Sequence, residues 1–250
     1  MKKIGIIDSG VGGLSLLKLL INQKYSSTYY YLSDDKNVPY GGRAQSFMLE
    51  RVRLMVAKLL SEKVDAIVLA CNTLTAETID ILRSENKIPI FGIEPYINYL
   101  NKNDSKSSRC ALILTEATFK SKRFQTLVNE KDKNHLVDIY PLKNLALLVE
   151  SLKIENTKKI RELILEELLP LKDKGYTHLI LGCTHYPIIW KTIENFLNLK
   201  TIDPSSNVIS HMEKKLSLEH DLGISNKFYY NPDLSDHFQE VSMDQFKFFD

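Results

Sequence analysis

Short, unbroken apolar runs, each stopping at a polar or small residue, govern what this chain can fold into. KIGIID, DAIVLAC, CALILT and THLILGC are too short for helices and too continuous for strands with one wet face. Runs of this kind form strands covered on both sides, as in parallel sheets. TYYYLSD, IPIFGIEP and HLVDIYP read as further strands. Between them lie stretches with apolar residues three and four apart: LSLLKLLINQ, FMLERVRLMVAKLLSEK, TAETIDILRSE, ATFKSKRFQTLV and TKKIRELILEELLPLKDKG. A helix is expected from about Pro187, and TIDPSSNVISHMEKKL reads as a strand end, a capped turn and a helix. The tail FYYNPDLSDHFQEVSMDQF reads as a strand followed by a last helix. Strands alternating with helices place the chain in the α/β class.

NKNDSKSSRC, Asn101 to Cys110, is polar and turn-rich and reads as a linker, after which the strand–helix pattern begins again. The expectation is two similar domains, each a mainly parallel sheet flanked by helices. At 250 residues the chain is long enough for both. Its formal charge of +2 is spread along the sequence and argues for neither nucleic acid nor an acidic membrane as partner. No apolar run approaches the ~20 residues that span a bilayer. Asp8 interrupts the first apolar stretch too early for a signal peptide. Three cysteines without paired spacing suit a reducing compartment, hence the cytoplasm.

Two of those cysteines occupy one kind of position. Cys71 and Cys183 each end an apolar strand and are followed by short polar residues, Asn72 and Thr73 in one case, Thr184 and His185 in the other. Ligands of open parallel sheets bind at that end of the strands, so two such units face to face would put the thiols on opposite walls of one cleft. A structural zinc site lacks its Cys-x-x-Cys pairs, a disulfide lacks its compartment, and a Cys–His nucleophile leaves Cys71 unexplained. A fourth reading uses both thiols, one removing a proton from a carbon and the other delivering one to the opposite face. A carbon held ~3–3.5 Å from each would put the sulfurs roughly 7 Å apart. Helix N-termini following both cysteines, with His185 beside one, would raise the thiolate fraction above the few per cent of a free thiol. Cys110 reads as an inert buried residue.

DSGVGGLSLL carries a glycine turn between strand and helix whose N–H groups could meet an anion, although Ser15 stands where the dinucleotide pattern needs glycine. Asp8 sits at its strand's exposed end and suits an amine or the orientation of a base. DDKNVPYGGR follows the second strand and lies on the same rim. Glu150 closes LALLVE and reads, on pattern alone, equally well as a helix's solvent face. His178 reads as structural or exposed.

DSGVGG, PYGG, ACNT, GIEP, TEAT and GCTHYP, in this order, resemble the glutamate racemases of the cofactor-independent aspartate/glutamate racemase family. The chain departs from the family pattern at Leu74, Leu114 and Leu147. The resemblance implies a cleft between two α/β domains: residues 1–97 completed by the returning segment 206–250, and residues 98–205. It implies that Cys71 deprotonates D-glutamate and Cys183 L-glutamate, with Asp8 and His185 assisting and Glu150 as a supporting carboxylate. Binding would fall to Asp8, Ser9, Tyr40, Gly41, Asn72, Thr73, Thr118, Thr184 and His185. It further implies catalysis without pyridoxal phosphate or metal, a homodimer, and D-glutamate supplied to peptidoglycan. Aspartate as substrate, or an amino-acid-binding protein without turnover, are the competing readings.

Overall fold

The computed structural model describes residues 1–95, 109–155, 157–221 and 227–247. The linker read at Asn101–Cys110 lies, up to residue 108, outside the described residues. In the first part, β1 (Lys2–Asp8), α1 (Leu14–Asn22), β2 (Ser27–Ser33), α2 (Gln45–Ser61), β3 (Ala66–Leu69), α3 (Asn72–Glu85) and β4 (Ile90–Gly92) alternate. A second series follows with β5 (Cys110–Thr115), α4 (Glu116–Lys120), α5 (Lys122–Lys131), β6 (Val137–Leu142), α6 (Leu145–Ser151) and α7 (Lys158–Leu168). It continues through β7 (His178–Gly182), α8 (Trp190–Leu197), β8 (Lys200–Ile202) and α9 (Ser205–Leu216), and β9 (Lys227–Asn231) and β10 (Gln239–Ser242) close the chain.

Two sheets result, ordered β10-β9-β2-β1-β3-β4 and β6-β5-β7-β8. All pairings are parallel except β9 with β10. The strand order 2-1-3-4 of the first sheet recurs as 6-5-7-8 in the second, so β1 matches β5 and β3 matches β7. The chain reverses direction of growth beside β1 and again beside β5, and the strands' carboxyl ends at such a point are where ligands of open parallel sheets bind. Asp8 and Cys71 follow β1 and β3; Thr115 and Cys183 follow β5 and β7. The repeated topology therefore brings the two cysteines to equivalent positions.

The strands are apolar throughout because both faces are covered. Ile4, Ile6 and Val68 share one cluster with Ala111, Ile113 and Leu179 of the second sheet, while Ile7, Ile67 and Leu69 pack on α2 and α3 side chains such as Val52 and Leu82. One apolar cluster thus spans both sheets. Its burial, worth about 25 cal/mol per Å², fastens the halves together.

Polar contacts reinforce the same junction. Arg123 of α5 binds Asp80 of α3 at 2.8 and 2.9 Å and Glu94 at 2.5 Å. On the other flank Lys153 pairs with Asp35, just past β2.

Three elements differ from the sequence reading. The stretch read as one helix over ATFKSKRFQTLV is two, because Ser121 leaves the helical path and its hydroxyl caps α5 through the Phe124 N–H at 3.2 Å. The expected last helix is instead β10, whose Val241 pairs with Phe228, and a single 3₁₀ turn at Met243–Gln245. The helix expected from Pro187 begins as a 3₁₀ turn, Tyr186–Ile189, before α8.

Candidate active site

The turn DSGVGG is built around carboxylates of the protein itself. Asp8, fully buried at the end of β1, accepts the Gly10 N–H on Oδ2 at 3.0 Å. The next N–H, that of Val11, goes to Glu150 Oε2 at 3.0 Å. Glu150 lies on α6 with its side chain turned inward, so the solvent-face reading does not hold. Burial would raise its pKa, but the hydrogen bond and charge of His185 outweigh that and hold it below the usual carboxylate value. Glycine is required at position 12 because a Cβ there would sit 2.5 Å from His185 Nδ1.

Around Cys183 the groups form a relay. His185 Nδ1 is 3.7 Å from Cys183 Sγ, and Nε2 is 2.7 Å from Glu150 Oε2. Burial alone would discharge this imidazole; the hydrogen bonds and negative charge of Cys183 and Glu150 overcome it and push the pKa well above the ordinary value. Behind Thr184, Ser15 Oγ lies 3.0 Å from Thr184 O, while its one proton goes to the nearer Gly12 O at 2.8 Å.

Cys71 has a different neighbourhood. It caps α3 from its N-terminal side, and Ser9 Oγ lies 3.7 Å from its sulfur. Burial, with Asp8 nearby, pushes this thiol up to about 12, although the Leu74 N–H at the start of α3 favours the thiolate. This corrects the expectation that the helix N-terminus raises the thiolate fraction of Cys71. At Cys71 desolvation wins over the helix. After Cys183 the chain enters a 3₁₀ turn, and the cationic partner is His185.

The polar residues after the cysteines divide into two groups. Thr73 Oγ1 lies 3.2 Å from Thr115 Oγ1 and 3.3 Å from Thr118 Oγ1, a cluster that joins the two halves of the chain. Asn72 donates to Ile93 O at 3.4 Å. Among the described residues, Asp8 Oδ1 and Asn72 Oδ1 are buried acceptors without a hydrogen-bond partner. Such oxygens call for donors, and an ammonium carries three.

Tyr40 and Gly41 stand apart. The Tyr40 hydroxyl donates to Asp34 Oδ2 at 2.6 Å, and Arg51 binds the same carboxylate through two nitrogens, each at 2.8 Å. The side chain of Tyr40 therefore anchors its loop, leaving backbone as what the loop can offer a ligand. Gly41 lines a cavity of about 510 Å³ with Pro39, Arg43, Thr115 and Asn144. Tyr31, Ser15 and Thr115 support the site without having been singled out from the sequence. Of these, Thr115 alone had a signal, its place in TEAT.

Among the described residues no group of three or more His, Cys, Asp or Glu side chains is arranged to hold a metal ion. None of their helices is long and apolar enough to cross a membrane.

The sequence profile of the Asp/Glu/Hydantoin racemase family matches residues 27–211. The chain belongs to this family. As a family member it is a racemase, and its relatives bear this out. It is 37% identical over 86% of its length to a glutamate racemase of Leptospira borgpetersenii, covering 83% of that protein. It is 33% identical over 88% of its length to glutamate racemase 2 of Bacillus subtilis, covering 84% of that one. Among solved structures, glutamate racemase of Francisella tularensis in complex with D-glutamate superposes with a TM-score of 0.72 at 27% identity, over 98% of each chain. The Escherichia coli glutamate racemase shares the fold, with a TM-score of 0.77 at 23% identity over 92% of this chain and 88% of that one.

Proposed function

We propose that this racemase interconverts L- and D-glutamate by proton transfer between two thiols, Cys71 and Cys183. The observation that carries the reading is the pairing of these cysteines at matching strand ends, each with its own polar support. Cys71 has Ser9 and Asp8 beside it, and Cys183 has the His185–Glu150 pair. The relatives' names and the D-glutamate held by the Francisella enzyme supply the substrate.

From L-glutamate, the sulfur of Cys183 takes the α-proton while His185, as imidazolium, stabilises the thiolate. The S–H of Cys71 delivers its proton to the opposite face of the carbon. D-glutamate leaves with the proton from Cys71, and the reverse reaction runs from the state so formed. Burial serves both steps, since in a dry site each donor and charge acts more strongly than in water.

Asp8 and Asn72 offer acceptors to the ammonium group. Thr73, Thr118 and Thr184 offer hydroxyls to a carboxylate, and the backbone at Tyr40 and Gly41 meets the substrate from the mouth of the cleft. The domains run over residues 1–97 with 206–250, and over residues 98–205. The product serves peptidoglycan synthesis in the cytoplasm, and the enzyme works as a homodimer without pyridoxal phosphate or metal.

The test is proton NMR of L-glutamate and, separately, L-aspartate in D₂O, with reduced protein and EDTA, followed in parallel by circular dichroism. Loss of the α-proton signal with decay of optical activity for glutamate alone is the expected result. Exchange with aspartate alone moves the substrate. Silence with both, from folded protein with free thiols, leaves a binding protein without turnover.

A further inference from the structure

Tyr31 lies in β2, wholly buried, with its ring against Phe228 and Tyr230 of β9. Its hydroxyl reaches across to the exit of β1. It donates to Gly10 O at 2.7 Å and lies 3.5 Å from Asp8 Oδ2. A phenol has one proton to give, and the shorter contact claims it. A Cβ on Gly13 would come 3.0 Å from that oxygen and 2.9 Å from Asp8 Cβ, so the glycine turn is folded closely over the phenol.

We propose that Tyr31 is a positioning residue for proton transfer at Cys71, its hydroxyl holding the Gly10 carbonyl and thereby aiming Asp8 and Ser9 at that thiol. The inference rests on the two-thiol reading above and goes beyond it by separating the two halves of the reaction. Cys183 carries its own relay, whose Glu150 stands on α6 and is hydrogen-bonded to the turn through the Val11 N–H alone. Cys71 has no imidazole. Its polar neighbours, Ser9 and Asp8, both belong to the short turn that Tyr31 grips. Freed of the phenol, the Gly10 carbonyl is a buried acceptor that must find another donor, and the turn shifts to provide it. The returning strand β9 then has a part in catalysis, because Phe228 and Tyr230 fix the ring whose oxygen fixes the turn.

Tyr31→Phe removes that one oxygen. Racemisation of both glutamate enantiomers is followed, each with hydrogen and with deuterium at the α-carbon, in wild type and variant. The rates in the two directions are tied by the overall equilibrium and fall together, by about tenfold in kcat/KM for a lost hydrogen bond of ordinary strength. The isotope effects are not so tied. With D-glutamate the deuteron is taken by Cys71, the impaired step, and the isotope effect on kcat/KM rises. With L-glutamate it is taken by Cys183, and the isotope effect falls towards unity. Tyr29→Phe, which removes the hydroxyl donated to Leu20 O at 3.4 Å on the same strand, retains the wild-type isotope effects. Unchanged isotope effects in Tyr31→Phe, or a shift of the same sign for both enantiomers, overturn the role of Tyr31 alone. Wild-type protein that racemises neither enantiomer overturns the functional reading, and this inference with it.

Discussion

His185 and Glu150 are joined at 2.7 Å, and the same Glu150 oxygen also accepts the Val11 N–H at 3.0 Å. One carboxylate oxygen therefore ties the imidazole beside Cys183 to the glycine turn that carries Asp8. A shift in α6 is felt by the supports of both thiols, which makes Glu150 the residue whose loss should spread furthest.

Glu150→Gln keeps an oxygen for Val11 but removes the charge that favours the imidazolium. The expected result is a fall in kcat of roughly 10- to 100-fold with KM little changed, because the lost effect acts on a proton-transfer step. The stability effect has a definite sign. His185 has its pKa raised in the folded state, so its contribution is complete below about 6.5, the unfolded value, and is lost as pH rises through the folded one. Glu150 has its pKa lowered, so its contribution is present above about 4.3 and is lost as pH falls through the folded value. The gap in melting temperature between wild type and Glu150→Gln is therefore widest between about pH 4.3 and 6.5 and narrows on either side.

Cys71 should resist alkylation in the free protein. With its pKa pushed up to about 12 by burial and Asp8, only about one sulfur in ten thousand is ionised at pH 8, against about a quarter for a free thiol near 8.5. Iodoacetamide at pH 8, with sites read by peptide mass spectrometry, should label Cys71 at least ~100-fold more slowly than free cysteine. The rate should climb about tenfold per pH unit up to pH 10. Labelling of folded protein at the rate of free cysteine would contradict the burial argument.

The sequence made some of this arrangement legible and concealed the rest for physical reasons. Cys71 and Cys183 could be found because a buried strand that ends in a thiol and a polar pair is a local pattern, and the pattern occurs twice. Asp8 was legible for the same reason. Tyr31 was not, since in TYYYL nothing distinguishes a tyrosine whose hydroxyl serves the next strand from one that only packs. Glu150 looked equally like a solvent residue because its partners, Val11 and His185, are remote in sequence. The ionisation of Cys71 was misjudged because a helix N-terminus is visible in sequence while depth of burial is not. The tail was misread because β10 exists only through pairing with β9.

Arg51 makes a prediction for the loop at the mouth of the cleft. Its two nitrogens, the Tyr40 hydroxyl and Asn37 Nδ2 at 2.9 Å all converge on the buried carboxylate of Asp34. Arg51→Met leaves that carboxylate short of its charge partner and should destabilise the fold by about 3–5 kcal/mol, read by urea unfolding. Arg51→Lys, which keeps a charge but not the forked geometry, should recover part of the loss. Because the loop also carries Gly41, KM for glutamate should rise in both variants more than kcat falls. An unchanged KM in a folded variant would detach this loop from the substrate.

Gly12→Ala tests the closeness of the turn to the relay. A methyl group at this position would lie 2.5 Å from His185 Nδ1 and 2.8 Å from both His185 Cε1 and Thr184 Oγ1. None of these atoms ends a long flexible chain: His185 is held by Glu150, and Thr184 has a short, buried side chain. The imidazole must therefore rotate away from Cys183, which breaks its 3.7 Å contact with the sulfur, or the turn must lift from Glu150, which breaks the Val11 N–H bond and displaces Asp8 and Ser9. Activity should fall by about 100-fold or more, since a displacement near 1 Å at a catalytic group is enough for that. Overpacking of this kind costs about 1–3 kcal/mol of stability, so the variant should still fold. Glutamate turnover and urea unfolding, measured on the same preparation, separate the two effects. A Gly12→Ala protein with wild-type turnover would show that His185 does not need to stand where the turn holds it.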